Sequence, residues 1–151
     1  MRFSAYTMEY RGDPVSESLR PRHYKAEDHR EYKRIYEDCF HKMRSSLGLP
    51  RECCKSSDEL LKNRENIFIL EENGAIIGSV AVFDNEIDDL FVAKEHQRKG
   101  IGMRLLRFAV ALLQQRNSER IILHAADVNK GAVSMYLSCG FVITDEEEII
   151  R

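Results

Sequence analysis

Glu86-Ile-Asp-Asp-Leu90-Phe-Val92-Ala-Lys-Glu-His-Gln97-Arg98-Lys99-Gly100-Ile101-Gly102-Met103 decides how this 151-residue chain is read. Residues 86–92 have the apolar content of a buried strand. A basic turn with two glycines follows, and then the first turn of an amphipathic helix. A strand entering a helix this way gathers several backbone N–H groups at the positive end of a helix dipole, a place that suits a phosphate. The spacing is not that of a dinucleotide fingerprint, because Leu105 stands where the third glycine would be. No G-x-x-x-x-G-K-[ST] loop occurs either.

Towards the N-terminus, Asn73-Gly74 separates two apolar runs, 66–70 and 75–83, and predicts a hairpin. Before it, Ser56-Ser-Asp-Glu59 resembles a capping box for a short helix at Leu60 and Leu61. Tyr32, Ile35, Tyr36, Cys39, Phe40 and Met43 recur at helical spacing and predict an amphipathic helix over roughly 28–46, closed by Gly48 and Pro50. Residues 19–24 read as a short first strand with Pro21 at its edge. Residues 1–18 read as an N-terminal extension outside the domain at 19–151. Its Phe3, Tyr6, Met8 and Tyr10 suggest an extended arm that adds to a sheet or packs on a partner.

Towards the C-terminus, Ile101, Leu105, Ala109, Leu112 and Leu113 mark the core face of a helix from about 100 to 116. A buried strand at 120–125, a helix at 129–139 stopped by Gly140, and a last strand from Phe141 complete the series. The order of strands and helices predicts an α/β fold, a mixed sheet with helices on both faces.

Composition narrows the function classes. With 43% hydrophobic and 32% charged residues the chain reads as one soluble domain, and a net charge of −2 provides no basic field for nucleic acid. No run reaches the roughly 20 apolar residues of a membrane span. The opening residues lack the layout of a secretory signal, so a cytoplasmic location is expected. Cys39, Cys53, Cys54 and Cys139 have no C-x-x-C spacing and are expected to be reduced thiols. No metal is expected.

Gln97-Arg-Lys-Gly100-Ile-Gly102 matches the Q/R-x-x-G-x-G/A motif of the GCN5-related N-acetyltransferases. The chain resembles that family over about residues 19–144, and Asn129, Tyr136 and Gly140-Phe141 are similar to its second cofactor segment. The resemblance implies the family's mostly antiparallel sheet and direct transfer of an acetyl group from acetyl-CoA to a primary amine. It also implies roles. Leu90 and Val92 would offer main-chain contacts to the thioester and pantetheine. The backbone of Arg98, Gly100, Ile101, Gly102 and Met103 would hold the pyrophosphate, with side-chain donors from Gln97, Arg98 and Lys99. Asn129 would lie along the pantetheine arm, although a helix N-cap is its other reading.

For catalysis the resemblance implies Tyr136 as the acid that protonates the leaving thiolate. Glu86, eleven residues before Gln97, stands where some family members carry the general base. Asp88 and Asp89 compete for that role. Strict alternation along a strand would put Glu86 and Asp88 on one face and Asp89 on the other. His124 reads as structural, and Cys139 as a minor candidate near the cofactor sulfur. The acids at 86, 88, 89 and 145–148 suggest a cationic acceptor such as a polyamine, an aminoglycoside, a lysine or an N-terminal amine.

Against the family pattern, the end of the chain predicts a shortened final strand. Either residues 148–151 form it in miniature, or residues 3–10 or a partner chain cover the open edge, which suggests a homodimer. The rival reading is a non-catalytic acetyl-CoA-binding regulatory module, which would need the glycine turn but neither Glu86 nor Tyr136.

Overall fold

Asn73 and Gly74 both take positive φ, 54° and 79°, the backbone that a tight two-residue hairpin turn requires. That turn joins two antiparallel strands, which we label with the other elements of the computed structural model; it describes residues 2–150. In chain order these are β1 Arg2–Tyr10, β2 Arg22–His23, α1 His29–Ser46, α2 Ser57–Lys62, β3 Ile67–Glu72 and β4 Ala75–Phe83. They continue with β5 Glu86–Val92, α3 Ile101–Gln115, β6 Ile122–Ala126, α4 Lys130–Cys139 and β7 Phe141–Ile150.

The sheet has the order β2-β3-β4-β5-β6-β1-β7, and every neighbouring pair is antiparallel except β5–β6. Side-chain alternation divides the apolar residues between two cores. Tyr32 and Ile35 of α1 and Leu60 of α2 pack with Ile67, Ile69 and Phe91 on one face. Leu105, Leu106, Ala109, Val110 and Leu113 of α3 pack with Val80, Val82, Ile87 and Leu123 on the other, where Met135 and Tyr136 of α4 join them. The α/β mixed sheet flanked by helices on both faces is therefore as expected. Ser56 caps α2 by accepting the N–H of Glu59 at 3.2 Å.

Three expectations are corrected. Residues 2–10 are not an extension outside the domain: of the two outcomes expected for that arm, addition to the sheet is the one observed, since β1 lies between β6 and β7 and hydrogen-bonds to both. Its Met8 side chain is fully buried in the α3 core. The last strand is not shortened, since β7 runs for ten residues and pairs with β1 from Phe141↔Tyr10 to Ile150↔Arg2. The gap that suggested a partner chain is thus filled from within. Finally, the first short strand shrinks to the two residues of β2.

Residues 11–21 return from β1 to β2 across α3. The backbone N–H of Val15 donates to Gln114 Oε1 at 2.8 Å, and Arg104 pairs with Glu17 at 2.7 Å. Among the described residues no helix is long and apolar enough to cross a membrane.

Because β1 is a core strand, Met8→Ala is expected to destabilise the fold by about 2–5 kcal/mol, the range for truncating a buried methionine. Equilibrium denaturation in urea measures it, and a peripheral arm would give no change.

Candidate active site

The parallel strands β5 and β6 pair at only two positions, Glu86↔Ile122 and Ile87↔Leu123. Beyond them the strands part, and a cavity of about 360 Å³ opens between residues 87–90 and 123–126. Its walls come from both faces of the sheet: Tyr36, Phe40 and Met43 of α1 on one side, Met135 and Tyr136 of α4 with Asn129 just before it on the other. Past Ile87, the backbone groups of β5 that point towards β6 have no ladder partner. Extended amide-bearing ligands satisfy such groups as an added strand would.

β5 is also irregular where it lines this opening. Ala81 pairs with Asp88 and Ser79 with Phe91, so Asp89 and Leu90 together oppose Val80 alone. This is a β-bulge. Asp89 sits in the left-handed region at φ 47°, and its N–H donates to Asp88 Oδ1 at 2.8 Å. The bulge breaks the two-residue alternation expected for this strand. Asp89 turns towards α1, where the Tyr36 hydroxyl donates to its Oδ1 at 3.1 Å. Burial, and then the neighbouring charge of Asp88, push the Asp89 carboxyl up to about 6, against the Tyr36 hydrogen bond and Lys55.

Tyr136 and Asn129 both line the cavity. Burial, reinforced by the charge of Asp88, pushes the Tyr136 hydroxyl up to about 12, so it keeps its proton at neutral pH. Asn129 stands at the N-cap of α4, but its side chain makes no capping bond. Its amide is therefore not spent on the helix. Leu90 lines the cavity.

Glu86 lies elsewhere. It does not line the cavity, and its Oε1 is 2.9 Å from Nε2 of His124. His124 Nδ1 is 3.2 Å from Thr7 Oγ1. Both nitrogens of the ring are thus engaged, one by Glu86 and one by Thr7. His124, expected to be structural, has a side chain 55% exposed and lies at the cavity wall.

The turn after β5 has the geometry for an anion. Gly100 is the N-cap of α3 at φ 82°, with no side-chain cap and nothing within 4 Å of where a Cβ would stand. The amides of Ile101, Gly102 and Met103 start the helix without a carbonyl one turn back. Arg98, at φ 63°, and Lys99 are exposed beside them. A Cβ on Gly102 would lie 3.4 Å from Met135 Sδ, so α3 and α4 approach closely here. Gln97 has a different use: its Nε2 donates to the Val92 carbonyl at 2.9 Å, which also accepts from Cys39 Sγ at 3.0 Å. Cys139 packs at the margin of the α3 core. Among the described residues no group of three His, Cys, Asp or Glu side chains is placed to hold a metal ion.

A parted β5–β6 pair beside an uncapped helix is where known proteins become informative. The model of the acetyltransferase (GNAT) family matches residues 17–141. The chain belongs to the GNAT family. An uncharacterized N-acetyltransferase of Methanocaldococcus jannaschii is 28% identical to it over 101 residues, 60% of this chain and 43% of that protein. The GNAT acetyltransferase of Colwellia psychrerythraea shares the fold at a TM-score of 0.73 and 12% identity, over 98% of this chain and 55% of the other. The chain thus spans about half the length of these two proteins. The yncA protein of Salmonella typhimurium, solved with its cofactor acetyl-CoA, gives a TM-score of 0.64 at 18% identity, over 85% and 82% of the two chains.

In this GNAT chain, sequence reasoning did not say which helix Asp89 would face and read Tyr36 only as a core position. The acid doublet Asp88-Asp89 inside an apolar strand was the available signal, since two adjacent polar residues break the period of two. Nothing in the sequence pointed to the contact of Thr7 with His124, which needs β1 beside β6.

Because the folded Asp89 carboxyl titrates above its unfolded value near 3.9, the native state binds the extra proton, and stability falls as pH rises from about 4 through 6. Asp89→Asn, which keeps an acceptor for Tyr36, is expected to be more stable than the parent above pH 6. The difference should vanish below about pH 4, where both states of the parent are protonated. Thermal melts across that range measure it.

Proposed function

We propose that the protein transfers the acetyl group of acetyl-CoA directly to a primary amine. The observation that carries this reading is the opening between β5 and β6: unpaired strand backbone lies on one wall, Tyr136 on the other, and the bare N-terminus of α3 starts from the same strand. An acyl-pantetheine arm ending in a pyrophosphate suits such a sequence of groups.

In this reading the amides of Arg98, Gly100, Ile101, Gly102 and Met103 hold the pyrophosphate, and the charges of Arg98 and Lys99 add to them. Main-chain groups of Leu90 and Val92 meet the acyl arm, where an N–H aimed at the carbonyl oxygen stabilises the charge that develops there. Gln97 serves indirectly by holding the Val92 carbonyl. The Asn129 side-chain amide takes the pantetheine arm from the other wall.

The amine nitrogen forms a C–N bond as the C–S bond breaks. Tyr136 gives its hydroxyl proton to the departing sulfur and regains one from the nitrogen, which must shed a proton to become an amide. A hydroxyl that titrates near 12 is a poor acid by itself. Coupling its loss to the gain avoids leaving a buried tyrosinate.

Release of free thiol from acetyl-CoA over a panel of amines tests the reading. Tyr136→Phe is expected to lower kcat by roughly 100-fold to 1,000-fold, within the range for a positioned acid, with acetyl-CoA affinity unchanged. Binding of acetyl-CoA with no thiol release on any amine would favour a regulatory module instead.

A further inference from the structure

We infer that Asp89, held by Tyr36 on the bulge of β5, binds the ammonium of the acceptor and takes its proton, and that the acceptor is a monoamine whose apolar body lies along α1. This rests on the acetyltransferase reading. Of the three acids on β5, Glu86 is turned to His124 outside the cavity, and Asp88, which also lines the cavity, is exposed with its Oδ1 engaged by the backbone N–H of Asp89. Asp89 lines the cavity with Oδ1 fixed by Tyr36, and Oδ2 accepts no hydrogen bond among the described residues. A left-handed aspartate on a bulge is a costly conformation, and such costs concentrate where a side chain must be aimed.

The surroundings define the acceptor. Phe40, Met43 and Leu47 of the α1 segment form the wall beyond Tyr36, and they offer an alkyl or aryl body a dry surface. Arg44 lies on the same wall, held by its Nε donating to the Pro50 carbonyl at 2.8 Å. A second positive charge on the acceptor would meet that guanidinium. The acids at 145–148, which suggested a polycation, lie on β7 and do not line the cavity. Asp88, the other carboxylate at the wall, already accepts the Asp89 N–H, so the cavity suits one ammonium at Asp89 and an apolar remainder.

The proton balance closes. The bound ammonium gives one proton to the Asp89 carboxylate and becomes a neutral amine with a free electron pair. Asp89, now a carboxylic acid, returns the proton to solvent. The nitrogen sheds its second proton as the amide forms, and Tyr136 passes one to sulfur. Asp88, Tyr36 of α1 and Lys55 from the loop before α2 act on Asp89, and its charge in turn reaches Tyr32 of α1 and Cys53 and Cys54 of that loop. A carboxyl titrating near 6 gives activity that falls below that pH.

Thiol release from acetyl-CoA by the full chain, with phenethylamine and hexylamine against putrescine and spermidine from pH 5 to 9, tests the inference. The monoamines are expected to have kcat/KM at least about tenfold above the polyamines, with an acid limb near pH 6. Asp89→Asn should lose roughly 100-fold, as for removal of a positioned base, and lose that limb. Tyr36→Phe, which removes a bond favouring the carboxylate, should move the limb to higher pH. Loss of the limb in Glu86→Gln but not in Asp89→Asn, or a preference for spermidine, overturns the inference and leaves the acetyltransferase reading intact. Bound acetyl-CoA with no turnover of any amine overturns both.

Discussion

Two parallel strands that hydrogen-bond at two positions and then separate leave a row of backbone amides and carbonyls without ladder partners. Buried groups of that kind are costly unless something satisfies them. In this protein the separation of β5 from β6 is the feature on which the site depends. It opens a passage through the sheet, so α1 and α4, which pack on opposite faces, both contribute walls to one cavity. The bulge at Asp89 and Leu90 belongs to the same irregularity, because a strand leaving its neighbour on one edge must change twist against β4 on the other.

Separation on one edge of β6 is offset by full pairing on its other edge. β1 pairs with β6 over five residues and with β7 over nine, and the buried Met8 ties this half of the sheet to α3. The consequence reaches the site directly. Ala5 lies at the cavity wall, and Thr7 holds one nitrogen of the His124 ring whose other nitrogen holds Glu86. Glu86, expected as a candidate base, meets that ring and does not line the opening, whereas Asp88 and Asp89 do.

Much of this was legible in the chain itself. The Asn73-Gly74 turn, the helix stripe from Tyr32 to Met43, the Ser56 cap and Gly140 as a left-handed stop all follow from local chemistry, and each stands where it was expected. The glycine turn was legible for the same reason: Gly100 adopts a φ that other residues rarely take, and α3 begins immediately after it. Gln97 shows the limit. Its identity fitted a ligand donor, whereas in the fold its amide reaches back to a backbone carbonyl five residues earlier.

By itself the sequence determined the element types, the glycine turn, the family and the presence of Tyr136 and Asn129 in a second segment. These depend on neighbours a few residues apart, where propensity and spacing act. Only the tertiary structure decided where β1 lies, how long β7 is, which face Asp89 takes and what Glu86 touches. Residues 2–10 pair with residues 122–126 and 141–150, and the acidic run at 145–148 reads as a solvated tail until that pairing makes it a strand. A bulge likewise depends on register against a neighbouring strand, which no periodicity within β5 contains. One extra residue in that register sets where the Asp89 carboxylate meets Tyr36.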